Sequence, residues 1–95
     1  MIYLIAKYKI KKDKTSKVRK AILEFIRNVR KKERGNLRYE AYQLENDTEF
    51  IHFITFRDKK AENIHRQTKH VKKFVSILYP CCERKPKFIK LKEIK

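Results

Sequence analysis

The sequence predicts an α+β fold in which four antiparallel strands form one sheet with helices on one face. Three observations predict it. Three segments alternate with a period of two and a fourth is apolar on both faces, two others carry apolar residues at helical spacing with a short capped helix before the second, and their order is strand, helix, strand, strand, helix, strand, with the second helical region in two pieces. That order is a split pair of β-α-β units, the ferredoxin-like βαββαβ arrangement.

The first strand is Met1 to Ile10. Ile2, Leu4, Ala6, Tyr8 and Ile10 fall on one face, and Tyr3, Ile5, Lys7 and Lys9 on the other. Lys11 to Thr15 reads as a polar turn, and Ser16 as the N-cap of a helix whose inward side is Val18, Ile22, Phe25, Ile26 and Val29. That helix with its exit runs to about Arg34. Gly35, the only glycine, stands where a left-handed C-cap residue belongs. Leu37 to Leu44 alternates again, and Glu45-Asn46-Asp47-Thr48 is a turn of hydrogen-bonding residues. Glu49 to Phe56 is the third strand, so strands two and three make a hairpin. Asp58 caps a short helix, Lys59 to about Gln67, and Thr68 caps another, Lys69 to Tyr79, with Val71, Phe74, Val75 and Leu78 inward. Pro80 marks its exit, and Lys87 to Ile94 is the last strand.

The third strand is apolar on both faces, which predicts burial on both sides. Helices cover one face. The least costly cover for the other is a second copy of the same sheet, so the expected assembly is a homodimer joined through the sheet face, a dimeric α+β barrel. The 95 residues fit a single domain spanning 1–95, whose modest core a second subunit would enlarge.

Composition narrows the function classes. No run of 18 or more apolar residues exists, so no membrane span is expected, and the lysine-interrupted N-terminus is too short and polar for a signal peptide. Cys81 and Cys82 are adjacent and fit neither a disulfide framework nor a metal motif, which makes a reducing cytoplasm the expected location. The chain is strongly basic, with 27 Lys and Arg against 11 Asp and Glu for a net charge of +16. Nucleic acid is the usual partner of such a charge. Here the lysines are scattered through every segment, and strand three lacks the glycine-bearing aromatic motif of an RNA-recognition sheet, so nucleic acid ranks behind the other partners.

Several motifs, in order, resemble the antibiotic biosynthesis monooxygenase family. Glu33-Arg34-Gly35-Asn36-Leu37-Arg38-Tyr39-Glu40 is similar to that family's acidic-x-Gly-x-x-x-Tyr-Glu entry to strand two. Phe56-x-Asp58-x-x-Ala61 resembles its Trp-x-Asp/Ser-x-x-Ala exit from strand three. His65-x-x-Thr68-x-His70, followed by Phe74, resembles its His-x-x-Ser-x-His segment, and Ile2 to Tyr8 fits its first strand. The resemblance implies a dimeric α+β barrel with a pocket between sheet and helices in each subunit. It also implies oxidation of quinols or polycyclic aromatics by dioxygen without metal or flavin, the chemistry of several members; others degrade haem, and some have no known activity. Two departures stand out. Phe56 replaces the strand-three tryptophan, and Ala6 and Lys7 stand near the strand-one asparagine of the haem-degrading members. Together they disfavour haem degradation, whereas oxidation of an aromatic substrate stays open.

The expected activity is therefore a cofactor-independent monooxygenase acting on a small aromatic or quinol-like substrate and dioxygen. A non-catalytic small-ligand-binding dimer with the same cavity is the alternative, and a nucleic-acid-binding domain ranks third. Oxygenation without a cofactor needs a base to make the substrate anion, and histidine titrates in the right range. His70 and His65 are the catalytic candidates. Phe56, His52 and Tyr39 are the expected substrate-binding residues, the rings supplying apolar wall. No metal is expected, because a spacing of five puts His65 and His70 poorly for one helix face and no third ligand is near.

Overall fold

The computed structural model describes residues 1–95. Its strands are β1 (Ile2–Lys9), β2 (Asn36–Gln43), β3 (Glu49–Phe56) and β4 (Lys87–Leu91). Its α-helices are α1 (Thr15–Lys32), α2 (Lys59–Gln67) and α3 (Lys69–Leu78). The sheet order is β2-β3-β1-β4 with every pair antiparallel, the ferredoxin-like topology that the order of elements predicts.

The strand period decides which face each residue takes. In β1, Leu4, Ala6 and Tyr8 are buried under the helices, while Lys7 and Lys9 on the opposite face are exposed. In β3, Phe50, His52, Ile54 and Phe56 are buried on the helix side. The core lies between this face and the inward sides of α1 and α3, where Val18, Ile22 and Val29 are buried, and Phe25 stacks on Phe74 with ring centroids 4.4 Å apart. The other sheet face carries Ile5, Ile51, Phe53, Ile89 and Leu91, which no element of the single chain covers.

Local signals hold at most boundaries. The Asp58 carboxylate accepts the Ala61 N–H at 2.9 Å, and the Thr68 hydroxyl accepts the Val71 N–H at 3.2 Å, as N-caps do. Asn46 closes the hairpin by accepting from the N–H groups of Thr48 and Glu49, while Asp47 takes a left-handed φ of 66°.

Three details differ from the sequence expectation. The first helix begins at Thr15 behind a 3-10 turn, Lys12–Lys14, so Ser16 lies inside it and no side chain caps it. Gly35 does not adopt a left-handed φ. Its lack of a side chain serves close packing: a Cβ there would lie 2.4 Å from the Ala61 Cβ, so glycine lets α2 seat against the start of β2. Finally, β4 stops at Leu91, not Ile94, because Leu91 already pairs with Tyr3 near the start of its partner strand.

Candidate active site

A cavity of about 410 Å³ opens between the sheet and the helices α2 and α3. Its wall is mainly apolar, with Leu4, Ile54, Phe56, Phe74 and Leu78 among the contributors. Tyr79, Phe88 and Lys90 line it and are exposed, so they mark its opening. Volume and lining are those of a site for a small organic ligand.

His65 stands in the wall of this cavity and is held from behind. Its Nδ1 lies 2.8 and 2.9 Å from the two carboxylate oxygens of Glu33, and the Nε2 of His70 bonds to Glu33 Oε2 from the other side. Three chain segments make this cluster. Glu33 ends α1, where its N–H bonds to the Val29 carbonyl at 2.9 Å. Thr68 closes α2 by donating its hydroxyl to the His65 carbonyl at 2.9 Å, and in opening α3 it turns the chain so that both imidazoles meet one carboxylate. Glu33 is buried. Burial alone would raise its pKa, but the hydrogen bonds from His65 and His70 outweigh that and hold it below the ordinary carboxylate value. A neutral His65 that donates Nδ1–H to this anion keeps its lone pair on Nε2, which has no protein partner.

A second polar group lies on the cavity floor. His52, on the central strand β3, is fully enclosed. Tyr8 and Tyr39 come from the two strands beside β3, on the same face and diagonal to His52. The Tyr8 hydroxyl lies 2.6 Å from His52 Nε2, and that of Tyr39 2.8 Å from Nδ1. Burial pushes the His52 imidazole down to about 4, so it is neutral near pH 7. Burial also raises both tyrosines, which stay protonated.

Glu62 also lines the cavity. Its carboxylate is buried, yet it pairs with Lys59 at 3.0 Å and Arg66 at 2.9 Å, whose side chains are exposed. Burial would raise this group; the Lys59 hydrogen bond and the Arg66 charge overcome that and lower it.

Of the residues singled out in the sequence, His65, His52, Phe56 and Tyr39 all line the cavity. His70 does not. It packs against Phe25, with ring centroids 5.9 Å apart, and reaches the cavity only through Glu33 and His65. Glu33, Glu62 and Tyr8 are site residues that the sequence alone does not single out. An acid at the negative end of α1, directly after Arg30, Lys31 and Lys32, is placed against the helix dipole, and that was the available signal for Glu33. Tyr8 shares the inward face of β1 with Leu4 and Ala6, and the strand order puts β1 beside β3.

Fold and site together define a ferredoxin-like α+β domain with a mainly apolar cavity and an imidazole in its wall. A profile of the antibiotic biosynthesis monooxygenase family matches residues 1–76, and the chain belongs to that family. Among solved structures, one of an antibiotic biosynthesis monooxygenase superposes over 100% of both chains, with a TM-score of 0.93 at 20% identity. A protein of Mycobacterium tuberculosis superposes with a TM-score of 0.90 at 21% identity, covering 99% of this chain and 95% of that one. A conserved protein of Methanosarcina mazei Go1 gives 0.88 at 22% identity, covering 98% and 92%. At these identities the likeness shows a shared fold. No curated protein matches the sequence.

Proposed function

We propose that the protein is a cofactor-independent monooxygenase that oxidises a small aromatic or quinol-like substrate with dioxygen. The observation that carries this reading is the His65 Nε2, unpartnered in the wall of an apolar cavity and oriented by a buried carboxylate. Family membership supports it. An aromatic substrate packs against Phe56 and Phe74. His65 removes a proton from its phenol or activated C–H, and the resulting anion supplies an electron to dioxygen. The two fragments join as a substrate hydroperoxide, which loses water to leave a carbonyl. For an anthrone the balance is anthrone plus dioxygen giving anthraquinone plus water, so one oxygen atom enters the product and the other leaves as water. The proton taken by His65 returns to the departing oxygen. His70 and Glu33 act through His65 by holding its tautomer.

The working unit in this reading is a cytoplasmic homodimer joined through the sheet face that bears Ile5, Ile51 and Phe53. A chain of this size gains core by covering that face.

Incubation with a panel of quinols and anthrones under isotopically heavy dioxygen, with a chelator present, tests the activity. One heavy oxygen atom per product molecule is expected. No turnover of any member would abandon the reading and leave a ligand-binding role.

A further inference from the structure

The hydrogen bonds on the cavity floor do not use every available proton. Tyr8, neutral His52 and Tyr39 carry three protons on their polar atoms: two O–H and one N–H. They make two hydrogen bonds among themselves, and neither hydroxyl has another partner. Each bond uses one proton. If Nδ1 carries the imidazole proton, it donates to Tyr39, Tyr8 donates to Nε2, and the Tyr39 O–H is left over. If Nε2 carries it, the Tyr8 O–H is left over. Both tyrosines are buried and both line the cavity. A buried donor without an acceptor is costly, so the leftover proton calls for an oxygen inside the cavity.

We propose that the Tyr8–His52–Tyr39 chain is an anchor for a ligand oxygen, donating one tyrosine O–H to the carbonyl of an aromatic ketone or quinone. The ring system then lies against the apolar wall with its oxygen on the floor, and a tautomer change at His52 moves the donor from one tyrosine to the other without breaking the chain. The neutrality that burial gives His52 supports this, because a doubly protonated ring would be a donor to both tyrosines. The anchor rests on the cavity being a ligand site and not on turnover, so the two claims can fail separately.

The test compares 9-fluorenone with fluorene, near-isosteres that differ in the carbonyl, in fluorescence titrations of the wild-type protein and of the double variant Tyr8→Phe/Tyr39→Phe. Phenylalanine keeps the ring packing and removes both hydroxyl donors. The preference for fluorenone over fluorene is expected to fall roughly fivefold or more in the double variant, the scale of one lost hydrogen bond. The carbonyl stretch of bound fluorenone should sit lower in the wild type than in the variant. Equal preference in both proteins, with an unshifted stretch, overturns the anchor while leaving the cavity as a ligand site. Failure of both compounds to bind overturns anchor and cavity together. A wild-type fluorenone preference that falls in the double variant, without turnover of any quinol or anthrone, supports the anchor and removes only the monooxygenase reading.

Discussion

His65 Nδ1 lies 2.8 Å from Glu33 Oε1, although the two residues are 32 positions apart, one just past the end of α1 and the other in α2. This contact engages Nδ1 and leaves Nε2 of a cavity-lining histidine without a protein partner. Removing the charge while keeping the shape should therefore lower kcat more than it raises KM. For Glu33→Gln the expected fall in kcat is roughly 10–100-fold, the scale seen when an orienting partner of a functional histidine is lost. His70→Ala should cost less, because His70 lies outside the cavity lining and its one side-chain hydrogen bond is to the carboxylate. Steady-state oxygen uptake with an anthrone measures both. A His70→Ala loss exceeding that of Glu33→Gln would mean that His70 reaches the substrate directly.

The buried His52 makes stability depend on pH. Its folded value is about 4 against an ordinary 6.5, so between these values the unfolded chain binds a proton that the folded chain does not. The resulting stability is fully present above about 6.5 and is lost as pH falls toward 4, about 3 kcal/mol in all. The lowered Glu33 carboxyl adds a further loss below its ordinary 4.5. Thermal melts from about pH 7 to about pH 4.5 should show a decline that flattens in His52→Gln, which keeps a donor and an acceptor without titrating. Parallel declines in both proteins would contradict a neutral His52.

Gly35 and Ala61 offer a packing test. Gly35→Ala forces a Cβ to within 2.4 Å of the Ala61 Cβ unless α2 shifts. The expected cost is about 1–3 kcal/mol, with most of it recovered in Gly35→Ala/Ala61→Gly. Urea unfolding of the four proteins in the cycle gives the coupling. Additive losses would show that the contact is not the reason for glycine.

The uncovered sheet face gives a test of assembly. Phe53 lies on it at the centre of the sheet, with the Arg38 guanidinium 5.3 Å from its ring centroid. Light scattering should give a dimer mass for the wild type and a monomer mass for Phe53→Lys, which places a charge in the face proposed to join two copies. A wild-type monomer would contradict dimerisation through this face.

The alternation of β1 and β2, the helical spacing of α1 and α3, and the caps Asp58 and Thr68 were legible because each is a local rule with a local cause. Gly35 was seen, but its reason was not: the close approach to Ala61 is a contact between residues 26 positions apart, which no local turn signal encodes. The same applies to the site. His65, His52, Phe56 and Tyr39 stood out by residue type and by the face they occupy. That His70 sits behind the carboxylate, outside the cavity wall, depends on how α3 docks against α1. Glu33 became visible only when three separate segments met, and Tyr8 only through its pairing across the sheet with β3.

The most direct measurement of the central claim is the rate of oxygen consumption on a saturating anthrone by the wild type and by His65→Gln at equal protein concentration. A base in the cavity wall predicts wild-type consumption well above the spontaneous rate and a fall of roughly 10²-fold or more in the variant. Equal rates in the two proteins would contradict it.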